Sequence, residues 1–136
     1  MKTYLFLLVV LLVSKSACAQ FNKSVTYVLS QAATDTKIAF HLKGVSDDGY
    51  DYYSYNYNNG QAQLKVFYFK NDSCKFIKFV LKNEQLSDTI NQFNKDYTNT
   101  GNNRWVDYSK NIEYIIAIQN NDPLFDVLMR PTIYYH

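Results

Sequence analysis

From Ser24 onward the chain alternates between two hydrophobic rhythms. Val25, Val28, Leu29 and Ala32 recur at intervals of three, one and three, a spacing that gathers side chains on one face of a helix. Ser24 stands just ahead of them, and its hydroxyl can accept from the orphan amides of a helix start. A short helix is therefore predicted over Ser24 to Ala33. Ile38, Phe40 and Leu42 then alternate with Ala39, His41 and Lys43, the period of a short strand. Gly44 to Gly49, carrying Ser46-Asp47-Asp48, reads as a loop. Tyr50 to Tyr57 is a strand of aromatic and small polar residues, and Asn58-Asn59-Gly60 follows it as a hairpin turn, because Asn-Gly supplies the positive φ such turns need. The return strand is expected from Gln63 to Phe69.

A second tight turn, Asn71-Asp72-Ser73, leads into a strand from Cys74 to Leu81. Asn83 and Glu84 open the clearest helix, with the acid in its first turn where the macrodipole favours it. Leu86, Ile90, Phe93 and Tyr97 form its apolar stripe, and Ser87, Asp88, Asn91, Gln92 and Lys95 stay outside that stripe. Three more strands are predicted: Arg104 to Ser109, Ile112 to Gln119 and Leu124 to Arg130, the last two joined by Asn120-Asn121-Asp122-Pro123. Ile112, Tyr114, Ile116 and Ile118 fill one face of the middle strand while Ile115 and Ala117 are apolar on the other, which places it inside a sheet.

Short turns between consecutive strands make the sheet antiparallel. The expected fold is α+β in two layers, an antiparallel β-sheet with two helices on one face, arranged as tandem α-β-β-β halves. That outline resembles the beta-lactamase-inhibitor-like and TATA-protein-like folds, and an outline carries no function.

The first 19 residues follow a different logic. Met1-Lys2 precedes an apolar run from Tyr4 to Val13, then Ser14 to Ser16, then Ala17-Cys18-Ala19 before Gln20. This is the order of a secretory signal and its small-residue cleavage site. The run is about half the roughly 20 residues that cross a bilayer, so it reads as a signal and not a membrane span. The expected organisation is a signal peptide over 1–19 and a single domain over 20–136, exported to the periplasm or the extracellular space. A lipid anchor at Cys18 is the alternative, although Lys15 stands where a lipobox has an aliphatic residue.

Cleavage changes the charge balance. It removes Lys2 and Lys15 from the 14 basic residues, leaving 12 against 12 acidic ones. A neutral domain has no basic patch for a phosphate backbone, so no nucleic acid partner is expected. Of the two cysteines only Cys74 remains, which rules out an internal disulfide.

Candidate chemistry is sparse. His41 and His136 are the only histidines, and no ligand spacing surrounds them, so His41 reads as a strand residue at the sheet margin. Cys74 has no neighbour in sequence to activate it except Lys75 and reads as a small buried hydrophobe. Asp47-Asp48-Gly49-Tyr50-Asp51 invites a calcium loop, but alignment on Gly49 puts Gly44 and Tyr55 where acids belong. Glu84 and Glu113, the only glutamates, sit where surface residues are expected. No phosphate loop or nucleophile elbow occurs. Catalytic, metal and cofactor sites are accordingly all read as none.

What stands out is tyrosine: Tyr50, Tyr52, Tyr53, Tyr55 and Tyr57 fall within eight positions. On a strand, Tyr53, Tyr55 and Tyr57 share one face and Tyr50 and Tyr52 the other. One set can enter the core while the other presents rings with hydroxyl tips, a good contact surface. These five tyrosines are the candidate binding surface.

Other residues carry a resemblance. Asp48-Gly49-Tyr50 with Tyr53 and Tyr55, Tyr68-Phe69 before Asn71-Asp72-Ser73-Cys74, and Asn103-Arg104-Trp105-Val106-Asp107-Tyr108 together resemble small exported, aromatic-rich proteins of Bacteroidetes over about residues 45 to 130. The resemblance implies an envelope location and supplies no activity. The function expected is a non-catalytic secreted or periplasmic binding or interaction domain that uses an aromatic sheet surface to hold a protein or glycan of the cell envelope. A small envelope enzyme, or self-association through an open strand edge, is the alternative.

Overall fold

A computed structural model of the chain describes residues 20–58, 62–119 and 121–132. The expected signal peptide over 1–19, Cys18, the Asn59-Gly60 of the first hairpin turn, Asn120 and His136 lie outside the described residues. No described helix is long and apolar enough to cross a membrane.

Helix α1 spans Val25–Thr34 and leads into strands β1 (Ile38–Val45), β2 (Asp51–Tyr57), β3 (Ala62–Lys70) and β4 (Ser73–Lys82). A 3-10 turn at Asn83–Gln85 opens helix α2 (Leu86–Asp96), followed by β5 (Thr98–Gly101), β6 (Arg104–Asp107), β7 (Ile112–Ile118) and β8 (Leu124–Pro131). The sheet order is β1-β2-β3-β4-β8-β7-β6-β5, antiparallel throughout. Each half is one helix and one meander, and the meanders meet at a β4–β8 seam where Phe79 opposes Val127. The fold is α+β, as the alternation of periods predicts.

The halves hold four strands each, not three. The short strand expected at Ile38 runs a full eight residues, and β5 is an addition to the expected set. All four residues of β5 are exposed, so no apolar alternation marks it. Its register on β6 fixes it, through Thr98 opposite Val106 and a two-residue turn in which Asn102 and Asn103 take φ of 55° and 59°. Asparagine tolerates that left-handed region better than most residues.

The same turn chemistry joins β3 to β4 and anchors α1. Asn71 and Asp72 have φ of 53° and 57° between the paired Lys70 and Ser73. The Asp72 Oδ1 then accepts from the Val25 amide at 3.0 Å, while the Ser24 hydroxyl accepts from Tyr27 N at 3.2 Å. Ahead of the helix, Asn22 N donates to the Cys74 carbonyl and Cys74 N donates to Lys23 O, both at 2.9 Å. The chain entering α1 is thereby tied to the start of β4.

Both helices lie on one side of the sheet. Val28 and Ala32 of α1 and Phe93 of α2 join a core with Phe67, Ile77, Phe125, Val127, Met129 and Tyr114. Phe93, 1% exposed, packs its ring 5.5 Å from Trp105 and 5.1 Å from Tyr114. The Trp105 Nε1 donates to Asn94 Oδ1 at 2.8 Å, which satisfies the polar end of a buried ring. The opposite side of the sheet carries no described helix.

Candidate functional site

The pleat divides the clustered tyrosines. Tyr53, Tyr55 and Tyr57 point to the helices, so three of the five expected surface rings belong to the interior. Tyr55 is 5% exposed and meets Phe67 edge-on at 5.7 Å, and Tyr53 meets Phe69 the same way at 5.6 Å. Burial, with a smaller contribution from Tyr53, raises the Tyr55 hydroxyl pKa, and burial with Asp35 raises that of Tyr57. Tyr52 points to the helix-free side, and Tyr50 stands just before β2.

Strand register gives these two rings partners the sequence does not connect. Gly44, Tyr52, Tyr68 and Phe76 form one cross-strand row over β1 to β4. Tyr52 and Tyr68 have ring centres 5.9 Å apart, and Tyr68 stacks on Phe76 at 4.3 Å with an interplanar angle of 18°. Tyr50 closes the series edge-on against Phe76 at 5.1 Å. Its position comes from the loop before β2: Ser46 N donates to Tyr50 O at 2.8 Å, Tyr50 N donates to Ser46 Oγ at 3.1 Å, and Gly49 supplies a φ of 83°. The Asp47-Asp48 segment is thus a tight turn that holds a ring.

Cations border the rings. The Lys70 ammonium lies 5.0 Å from the Tyr50 centre and the Lys78 ammonium 5.5 Å from that of Tyr68. Burial alone would lower the Lys78 pKa; its hydrogen bond to Tyr68 and the charges of Tyr68, Asp126 and Tyr52 outweigh this and raise it. Burial raises the Asp126 carboxyl in spite of Lys78.

Beyond Phe76 the face becomes ionic. Glu113 is 3% exposed, which corrects the expectation of a surface residue. Its Oε1 accepts from Arg104 Nη1 at 3.0 Å and its Oε2 from Arg130 Nε at 2.8 Å. Burial would raise its carboxyl, yet the two guanidiniums prevail and hold it below the usual value. Between rings and ion triad runs a groove of about 680 Å³ bordered by Tyr50, Phe76, Leu128, Lys70, Lys75 and Arg130.

The remaining candidates lie apart from this face. His41 is exposed at a bulge in edge strand β1, where pairing passes from Phe40 to Leu42, and Glu84 is exposed at the start of the 3-10 turn. Cys74 is fully buried, and burial pushes its thiol up to about 12 against the opposing pull of Lys65 and Lys75. A thiol so protonated is a poor nucleophile. No three His, Cys, Asp or Glu residues converge among the described residues.

Tyr68 and Phe76 rest face to face, Tyr52 tilts against Tyr68 and Tyr50 meets Phe76 edge-on, with the Lys70 and Lys78 ammonium groups at the border. No protein-family model matches the chain, and neither a curated protein nor a solved structure does. Tyr68 and Phe76 are the members of this ring row that sequence reasoning missed. Their signal is parity: counted from a two-residue turn at Asn71-Asp72, they fall nearly opposite each other.

Proposed function

We propose that the chain is an exported, non-catalytic binding module that receives a protein partner on the helix-free face of its sheet. The observation that supports this reading is the unbroken series Tyr52, Tyr68, Phe76 and Tyr50, each ring touching the next, on the side no described helix covers. A sugar ring is best held on an open aromatic face, and the stacking of Tyr68 on Phe76 takes up one face of each of these rings. Edges and hydroxyl tips suit a protein surface, as in tyrosine-rich paratopes. Envelope location and kinship to exported Bacteroidetes proteins belong to the same proposal.

The test is retention of envelope proteins by the immobilised domain, repeated with Tyr50→Ala, Tyr68→Ala and a solvent-side control, Thr26→Ala on α1. The partner band should fall tenfold or more with the ring variants and stay with the control, since a few aromatic anchors dominate most interfaces. Equal retention by all variants would refute the face as the binding surface.

A second reading, self-association, has one observation in its favour. Edge strand β1 leaves Phe40, Leu42 and Val45 exposed at 57%, 41% and 68%. Such an edge invites pairing, and the bulge between Phe40 and Leu42 works against it. Light scattering across a concentration series separates the two readings.

A further inference from the structure

One row on the helix side breaks the apolar rule. Outward from Val127 at the seam comes Ile116; outward from Phe79 comes Lys65, and then Tyr55. Lys65 is 2% exposed, in the middle of the core. Its ammonium lies 5.0 Å from the centre of Phe67 and 5.9 Å from that of Phe79. It forms no salt bridge among the described residues. Asp35, just past the end of α1, acts on it only through space, and the Asp35 Oδ1 already accepts from Lys37 N at 2.9 Å.

Beside Lys65 a pocket of about 240 Å³ opens between α1 and the sheet, walled by Gln20, Ala32, Ile38 and Phe67 and, from the end of α1, by Gln31, Thr34 and Asp35. Gln20 is 7% exposed, and its buried Oε1 has no hydrogen-bond partner. Buried polar groups are nearly always partnered. Here an amide, an ammonium and the Asp35 carboxylate border one small cavity whose other walls include a methyl, an aliphatic chain and a ring. An ammonium needs an acceptor, best a charged one. An amide can turn end for end and donate its nitrogen.

We propose that this pocket binds a small organic carboxylate, with its oxygens against Lys65 and Gln20 and its apolar body on Ala32, Ile38 and Phe67. The volume is below that of pockets for drug-sized ligands and suits a compact molecule. The site lies on the opposite side of the sheet from the aromatic face and does not depend on it. Burial brings the Lys65 amine down to about 8, while Asp35 and Cys74 push it the other way. A bound carboxylate strengthens that upward push, so occupancy is readable on the lysine itself.

The probe is sodium benzoate, with benzamide as its neutral counterpart and sodium chloride matching the ionic strength. In protein carrying isotope-labelled lysine, the Lys65 side-chain resonance is titrated from about pH 6 to 10, with and without each probe. Benzoate should raise the Lys65 midpoint by about one unit, a tenfold linkage, and shift the Phe67 signals saturably. Benzamide should do neither. Lys65→Met should weaken the benzoate shifts at Phe67 at least tenfold, while Tyr68→Ala leaves them intact. An unmoved Lys65 midpoint would show a pocket that holds only water, and equal effects of benzoate and benzamide would show a site blind to charge; either overturns the proposal. Because the first readout uses the unaltered protein, it decides the matter even if a variant misfolds.

Discussion

The ring of Tyr52 lies across Gly44 on the neighbouring edge strand. A Cβ placed on Gly44 would stand 2.5 Å from the Tyr52 hydroxyl oxygen and 2.7 Å from Cζ. The glycine therefore makes room for the ring that begins the aromatic row, and the ring in turn covers bare backbone. Gly44→Ala should cost about 1–3 kcal/mol by overpacking. In a Tyr52→Ala background the same change should be neutral or slightly stabilising, since glycine in a strand is itself unfavourable by roughly 0.5–1 kcal/mol. Urea melts of the four proteins measure the coupling, and additive costs would contradict the contact.

The two parities of the tyrosine strand should separate in stability. Tyr55→Ala removes a buried ring and should cost about 3–5 kcal/mol. Tyr50→Ala, in the loop on the helix-free side, should stay within about 1 kcal/mol of the parent. Thermal melts of both variants check this, and equal losses would mean that the outer ring is also a core residue.

Lys65 sets a pH dependence of definite sign. Its native value of about 8 lies below its ordinary 10.5. Across that window the unfolded chain keeps a proton that the native one gives up, so this contribution makes stability rise with pH and levels off above the unfolded value. Lys65→Met should remove the rise and be more stable by about 1–3 kcal/mol at neutral pH, because a buried charge is replaced by an apolar chain of similar length. Chemical denaturation at about pH 7 and pH 9 of both proteins gives the comparison.

Glu113 acts in the opposite sense. Its native carboxyl is held below the usual value, so it stabilises above the unfolded value and that stability is lost as pH falls through the native one. Glu113→Gln leaves two guanidiniums facing an amide. It should cost about 1–3 kcal/mol at neutral pH, discounted for the partly exposed arginines, and should flatten the acid limb of the stability profile. An acid limb identical to the parent's would remove the ion triad from the account.

Much of this fold is legible because its elements obey their periods. The Leu86-Ile90-Phe93-Tyr97 stripe forecasts the α2 packing, and the predicted β4, β7 and β8 match the observed strands to within a residue or two at either end. Beta5 is not legible, since Thr98 to Gly101 has no buried side chain to set a rhythm. Lys65 and Glu113 escape for a different reason: a charged residue in a strand is read as outward-facing, and only the fold shows one among rings and the other between arginines. The aromatic face is half legible. Parity separates Tyr50 and Tyr52 from their neighbours, but the ring row needs Tyr68 and Phe76, and register with its bulge after Tyr68 is what brings them there.

The seam between the halves also governs how such a chain would assemble. Six strand pairings join neighbours along the chain, and β4–β8 alone bridges distant segments. Meanders built from local pairings close quickly, whereas a contact across dozens of residues waits for loop closure. On that ground the β4–β8 seam is expected to close after the local ladders on either side of it. A chain that closes that seam with the half of another molecule would form an exchanged dimer in which every local ladder is still intact.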